Sequence, residues 1–356
     1  MLSLLNSFAS VMSTIGYVIL AIIMFAILIC IHELGHYTAG KIFKFKINEF
    51  SIGFGKALYS KKRKNGELFS IRIVPLGGYC AFEGEEGGSD VEGAFNKQAW
   101  WKRWIVLFAG VFFNFVSAVI VAVPLLMACG NAIPRIFDFV DGCPNHIEYN
   151  METLQQGDVI VGVNGVKPTY LNGGISGLTQ AQADTPYTLT ISRDGATIEI
   201  NVTNMKLTDV NGDEYYGIGM NVEMVKYSFF QALGMSIPFC FEIAGECLRI
   251  VWLLITGRFE LRLLGGPITA ISQVANAASI SLLYLLLFFP VIAINLAVFN
   301  FLPLPALDGG RSVFVLIEAI RGKPIKPEIE NKIHSIGLLL LFGFVIVIDF
   351  LQVFVW

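Results

Sequence analysis

The sequence is short of charge, and its cysteines lack any metal-site spacing. Only 15% of its 356 residues are charged while 54% are hydrophobic, and mean hydropathy is +0.64. That balance excludes an ordinary soluble domain. The six cysteines, at 30, 80, 129, 143, 240 and 247, form no Cys-x-x-Cys pair, which excludes a structural cysteine site. Cys129 and Cys143 remain a possible pair. The net charge of −3 says little about partners, and no nucleic-acid partner is expected. The first apolar stretch has no positive leader and no small-residue cleavage site, so it is expected to stay in the mature protein. No internal repeat or long low-complexity segment appears.

What the sequence does have is long uncharged runs, from Leu2 to Ile31, Trp104 to Pro134 and Leu263 to Leu307, with Ser335 to Trp356 broken only by Asp349. Each reaches the roughly 20 residues that span hydrocarbon. The expectation is a polytopic α-helical membrane protein with four transmembrane helices, the third run holding both a lead-in segment and a span. Lys and Arg cluster after the first run (Lys41 to Lys64) and before the fourth (Arg321, Lys323, Lys326, Lys332). Both clusters should face the cytoplasm, which places the amino terminus and the region between spans two and three outside. Trp100, Trp101 and Trp104, interleaved with Lys102 and Arg103, mark an interfacial anchor.

Four regions follow. Residues 1–132 form the first part of the membrane core, and 133–226 a small β-rich outer domain. Residues 227–262 form an amphipathic surface helix, because Glu242, Glu246 and Arg249 share one face. Residues 263–356 complete the membrane core. Within the first region, Leu68 to Val74 alternates like a strand, while Gly53-Phe54-Gly55 and Pro75 to Tyr79 read as turns. Hairpins at membrane depth must line a protein cavity or pair with another strand. The acidic, glycine-rich stretch 84–93, with Glu85 and Glu86, reads as a flexible loop. In the outer domain, Arg193-Asp194-Gly195 predicts a hairpin turn between two strands.

The chemistry gathers at His32-Glu33-Leu34-Gly35-His36, which closes the first run. Histidines four apart on a helix share a face, with Cβ atoms about 5–6 Å apart, and suit one metal ion. Neutral imidazoles suit zinc, though also iron or cobalt, and Glu33 is placed to act as a general base. A third ligand is needed, and Asp308 is the candidate. It ends an uncharged run where a lone carboxylate costs about 2.5–3.5 kcal/mol, and Pro303, Pro305, Gly309 and Gly310 distort the helix around it. Asn295 and Asn300 could hydrogen-bond a substrate backbone. His146 and His334 read as surface or interfacial histidines, and Asp349 as interfacial.

Taken together, HELGH at 32–36 and NFLPLPALDGG at 300–310 make the chain similar to the site-2 protease family of intramembrane zinc metalloproteases, in its bacterial regulator-of-sigma-E-type branch. SIGFG, VPLGGYC, WWKRWIVLFAGVFFNF and LLGGPI follow in the family's order. The resemblance implies Zn2+ bound by His32, His36 and Asp308, Glu33 as catalytic base, and Asn300 as a substrate contact. Gly53, Phe54 and Gly55 would belong to a membrane-associated β-hairpin that offers an edge to an extended substrate. Asn114 matches a family asparagine with no role assigned. LQQGDVIVGVNG makes the outer region resemble one extracytoplasmic PDZ-like domain, without a Gly-Leu-Gly-Phe carboxylate loop.

The implied function is cleavage of single-span membrane proteins, such as anti-sigma factors or signal-peptide remnants, after an upstream site-1-type protease has trimmed them. The implied place is a bacterial inner membrane, with the lipid bilayer as partner and the active site near the cytoplasmic side. Two other readings compete. One is a non-proteolytic, PDZ-bearing membrane scaffold with a structural metal site, and the other is an ion or metal transporter built on the same ligands.

Overall fold

A computed structural model of the chain describes residues 2–355 apart from 86, 131–132, 148–149, 170–173, 180–185 and 209–213, and omits the side chains of 2–10, 76, 176 and 263. Glu86 of the acidic stretch therefore lies outside the described residues. The chain divides into two compact units, 1–121 with 240–356, and 122–239.

In the first unit, α1 runs over Leu2–Ile42. Its unbroken apolar sequence leaves no competing turn signal, and it stops at a Schellman cap: Lys44 is left-handed, Phe45 N donates to Gly40 O and Lys44 N to Lys41 O. Helix α2 spans Trp100–Cys129. After α4 (Phe229–Ile255) come α5 (Pro267–Ile280), α6 (Leu282–Phe301), α7 (Asp308–Arg321) and α8 (Pro327–Phe354). The lead-in segment and span expected within 263–307 are thus α5 and α6. Among the described residues four helices are long and apolar enough to cross a membrane: residues Val11–Ile42 of α1, then α2, α6 and α8. Outward apolar side chains such as Ile19, Ile23 and Ile27 on α1, or Leu339, Leu340 and Ile346 on α8, would be unfavourable in water and are at ease in lipid.

Strands β1 (Ile47–Lys62) and β2 (Leu68–Phe82) pair antiparallel along nearly their whole length. Both bend, so that Phe50 lies between Cys80 and Phe69, and Ser70 between Ser51 and Ser60. Segments 78–82, 47–52, 68–71 and 57–62 consequently lie side by side, with 78–82 at one edge. The sequence signals at Gly53-Phe54-Gly55 and Pro75 to Tyr79 are bends inside these strands rather than turns between elements. Gly53 and Gly55 have φ of +88° and +82°, and a Cβ on Gly53 would lie 2.6 Å from the Val74 carbonyl oxygen, so only glycine fits the bend. Buried Glu67, paired with Lys41 and Arg63, ties the start of β2 to the end of α1.

The stretch after β2 is anchored rather than loose. Glu83 N donates to Lys46 O, Phe95 N to Glu83 O, and Lys46 N to Gly93 O, while Glu85 forms an ion pair with Arg311 of α7. Burial pushes the Glu85 carboxyl up, and Arg311 only partly offsets it. A local composition rich in Gly and Glu could not reveal a partner more than two hundred residues away.

The second unit holds a five-stranded sheet in the order β6-β5-β4-β3-β9, with β3 Pro134–Phe139, β4 Val159–Val163, β5 Pro186–Arg193, β6 Ala196–Thr203 and β9 Met220–Met224. Short strands β7 (Met205–Thr208) and β8 (Glu214–Gly217) form a separate ribbon, and helix α3 covers Gly174–Leu178. Alternating inward residues Ile160, Leu189, Ile191, Ile200 and Val202 build its core. The β5–β6 turn is where the sequence places it, with φ of +51° at Asp194 and +83° at Gly195, as a two-residue I′ turn demands. No disulfide joins Cys129 to Cys143; the Cys143 thiol donates to Ile218 O instead.

Beneath that sheet the buried Asp158 carboxylate accepts two bonds of 2.7 Å from Arg193, whose guanidinium also donates to the carbonyls of Met151 and Thr153. Removing one partner of such a pair strands a buried charge, at a cost of about 3–5 kcal/mol. Asp158→Ala is therefore expected to speed amide exchange in β4 and β5 of the full-length protein by about 100-fold or more, read by mass spectrometry. Unchanged exchange would mean that the pair does not hold this unit together.

Candidate metal centre

His32, Glu33 and His36 occupy two successive turns of α1, and both histidines are buried. Asp308 arrives from far along the chain because α6 stops at Phe301 and α7 starts at Asp308 itself. Between them Leu302 to Leu307 turn back, with Ala306 left-handed at φ +77°. The two glycines that follow permit this turn. A Cβ on Gly309 would lie 2.1 Å from Leu302 O, and one on Gly310 would lie 2.3 Å from Leu304 O.

The result is a triangle of donor atoms. Asp308 Oδ2 is 2.9 Å from His32 Nε2 and 3.2 Å from His36 Nε2, and the two Nε2 atoms are 3.1 Å apart. Ligand atoms of a tetrahedral zinc site with arms of about 2.0–2.2 Å lie about 3.3–3.6 Å apart, so expansion by a few tenths of an ångström accommodates the ion. Hydrogen bonding alone fits this triangle poorly, since two like ring nitrogens face each other across one carboxylate oxygen. Asp308 is part-buried, and a cation shared by the three donors would offset the cost of ionising it there. Its place in the first turn of α7 also favours the anion.

Helix α2 supplies what surrounds the donors, from one stripe of residues four apart. Val106 O accepts from His36 Nδ1–H at 2.8 Å, which leaves Nε2 with its lone pair toward the triangle. Gly110 makes room, for a Cβ there would lie 2.5 Å from His36 Nε2 and 2.6 Å from His32 Cε1. Asn114 is fully buried with its amide 3.4 Å from His32 Nδ1 and its Oδ1 without a partner. A half-turn of the amide lets that oxygen accept from Nδ1–H, which satisfies both groups and fixes the His32 tautomer. Gly35 allows the helices to approach, its Cβ position lying 2.3 Å from Ala109 O. None of these roles is visible in the motif alone. The available signal was the pair of small residues, Ala109-Gly110, one turn before an asparagine in a span of bulky side chains.

Two cavities meet at Glu33. One, of about 240 Å³, is lined by His32, Glu33, Asn114, Asn300 and Asp308 among others. The second, of about 670 Å³, is lined by Glu33, His36, Asp308 and the edge segment Tyr79 to Phe82. Asn300 lines the smaller cavity beside His32 and Asp308. Gly53, Phe54 and Gly55 line neither cavity; they form the bend of β1, with Phe54 stacked on Tyr79 at 6.2 Å. The strand that reaches the site is the end of β2, where Gly78 approaches the Glu33 side chain. Of the residues set aside earlier, His146 accepts no role here and bonds Leu154 O. His334 is half-buried, and its Nδ1 accepts from Ala306 N at 2.9 Å. Asp349 caps the start of α5, facing Gly266 and accepting from Ile268 N at 3.4 Å.

Two imidazoles and one carboxylate, open to polar cavities and accompanied by a second carboxylate on the same helix turn, define a metal-dependent hydrolase. A family model described as peptidase family M50 matches residues 20–344, and the chain belongs to that family, the site-2 proteases. Several bacterial relatives, provisionally named zinc metalloproteases, match it end to end. That of Fusobacterium nucleatum is 32% identical, covering 93% of this chain and 96% of its own; that of Clostridium perfringens is 31% identical over 93% and 97%; and that of Helicobacter pylori is 32% identical over 94% and 97%. The chain is a metalloprotease, and its cofactor is zinc.

Clearance at Gly110 yields a direct test. Gly110→Ala should leave the helices inserted but displace the imidazoles, so that the purified protein contains less than about a tenth of the wild-type zinc by metal analysis. Asn114→Leu, which removes only the partner of His32, should weaken zinc binding by about 10–100-fold, read as faster loss to a chelator. Full zinc retention in both variants would contradict the geometry described.

Proposed function

We propose that this chain is an intramembrane endopeptidase that hydrolyses a peptide bond in or near a single transmembrane segment. The observation that carries the reading is the triangle formed by His32, His36 and Asp308, with Glu33 at the junction of both cavities. In it His32, His36 and Asp308 hold zinc. The bound metal supplies Lewis acidity, polarising the scissile carbonyl and lowering the pKa of water.

The chain's own residues do the rest. Glu33 takes the proton of the attacking water and passes it to the leaving amine nitrogen. A helical substrate has its carbonyls bonded internally, so it must unwind and find new partners. Asn300 offers one set in the smaller cavity. The edge of β2 at residues 78–82 offers another in the larger cavity, by strand addition. The bend Gly53-Phe54-Gly55 supports that edge by holding Tyr79 through Phe54.

The lysine and arginine distribution favours a cytoplasmic side for this site and an outer location for the amino terminus and for residues 133–226. We read that outer region as PDZ-like, on the strength of LQQGDVIVGVNG and a small antiparallel sheet. It serves to exclude proteins whose outer portion is still bulky, which places an upstream site-1-type protease before this one. Anti-sigma factors and signal-peptide remnants in a bacterial inner membrane are the substrate classes that fit.

The test is digestion of a tagged single-span substrate in detergent or liposomes. Glu33→Gln should retain zinc and lose about 10²–10⁴-fold in rate, and a chelator should abolish cleavage reversibly. Undiminished cleavage by Glu33→Gln would overturn the assignment, and unchanged biological function without cleavage would instead favour the scaffold.

A further inference from the structure

We propose that His334 is a positioning residue for the metal site: through a hydrogen bond to the Ala306 backbone it holds the loop that aims Asp308 at the two imidazoles. The proposal rests on the zinc-ligand reading above and adds a residue outside both signature motifs.

Ala306 is the pivot. It lies two positions before Asp308 and has φ of +77°, in a region where an L side chain is uncommon. Such a conformation persists only where its surroundings over-determine it. Three contacts do so here, and two come from one turn of α8. His334 Nδ1 accepts from Ala306 N at 2.9 Å. Gly337, one turn on, lets Pro305 pack against the α8 backbone; a Cβ there would lie 2.2 Å from Pro305 Cβ. The third contact is that of Gly310 with Leu304 O, already described. The His334 ring also packs at 5.3 Å, nearly edge-on, against Phe314 of α7, the helix that Asp308 begins.

The chemistry of the bond specifies the residue. Because Nδ1 accepts a backbone N–H, the ring carries its proton on Nε2 and is neutral. No carbonyl takes that place, because the chain has already turned back on itself at Leu302 to Leu304, where Leu304 N donates to Leu302 O. Without His334 the part-buried Ala306 N–H would lose its protein acceptor, and the loop would relax toward ordinary φ values. Asp308 would follow, since only Leu307 separates it from Ala306. A carboxylate that wanders even slightly from the 2.9 Å and 3.2 Å seen here weakens the site without removing any ligand.

Two substitutions separate the acceptor from the ring. His334→Phe keeps the ring against Phe314 and loses the acceptor. His334→Asn loses the ring and keeps an acceptor oxygen near the Nδ1 position. Zinc retention against a competing chelator and the visible spectrum of the cobalt-substituted protein are measured in detergent-solubilised full-length chain, with Asp308→Ala as reference. We expect His334→Phe to bind zinc about 10–100-fold more weakly and to show an altered cobalt spectrum, while His334→Asn stays within about threefold of wild type in both. His334→Leu replaces the Phe variant should the latter fail to insert. Wild-type zinc retention and spectrum in the acceptor-less variant would overturn the proposal, as would equal loss in the Asn variant, which would assign the role to ring packing. Asp308→Ala with zinc fully retained would instead overturn the ligand assignment itself.

Discussion

A carboxylate brought into contact with two imidazoles is the interaction on which this structure turns. Placed alone in apolar surroundings, Asp308 would be costly. Placed beside His32 and His36, it completes a donor set for a cation. Meeting that requirement dictates the local fold. Helix α6 must end at Phe301, the chain must double back, and α7 must start at the aspartate. Pro303 and Pro305 end the helical ladder because neither has an N–H to give, and Gly309 and Gly310 let the returned backbone lie against itself.

Space is the second constraint, and glycine sets it. Lipid offers apolar side chains no reason to prefer one another, so spans associate through close packing and hydrogen bonds. Gly35 brings α1 to α2, and Gly110 then leaves room for the imidazoles. The Val106 carbonyl and the Asn114 amide meet the remaining ring nitrogens from the same stripe. Thus α1 contributes donors, while α2 decides which nitrogen of each ring is available.

The charges around α7 are handled by pairing. Arg103 of α2 pairs with Glu318 of α7, and Arg311 of α7 with Glu85. These contacts hold α7 from two sides, and α8 holds the loop before it. Such pairs are weak arguments for stability, but they fix where a helix can sit. In the same way, the long β1–β2 sheet uses positive-φ glycines to bend, and that bend delivers its edge to the cavity beside Glu33.

Much of this protein was legible in residue order alone. The number of long apolar helices follows from hydrophobic length, the His32–Glu33–His36 arrangement from helical periodicity, the Asp194-Gly195 turn from backbone stereochemistry, and the candidacy of Asp308 from the cost of an isolated charge. These are local or compositional quantities, so they need no coordinates. Tertiary structure alone decided that His334 meets the backbone of the Ala306 loop, that Glu85 is tied down, that Cys129 and Cys143 stay apart, that glycine-marked turns lie within strands, and that residues 78–82 rather than 53–55 reach the site. Each of these depends on which segments meet across large sequence separations. Periodicity and composition describe a residue's own element and say nothing about the atom that arrives from elsewhere to face it.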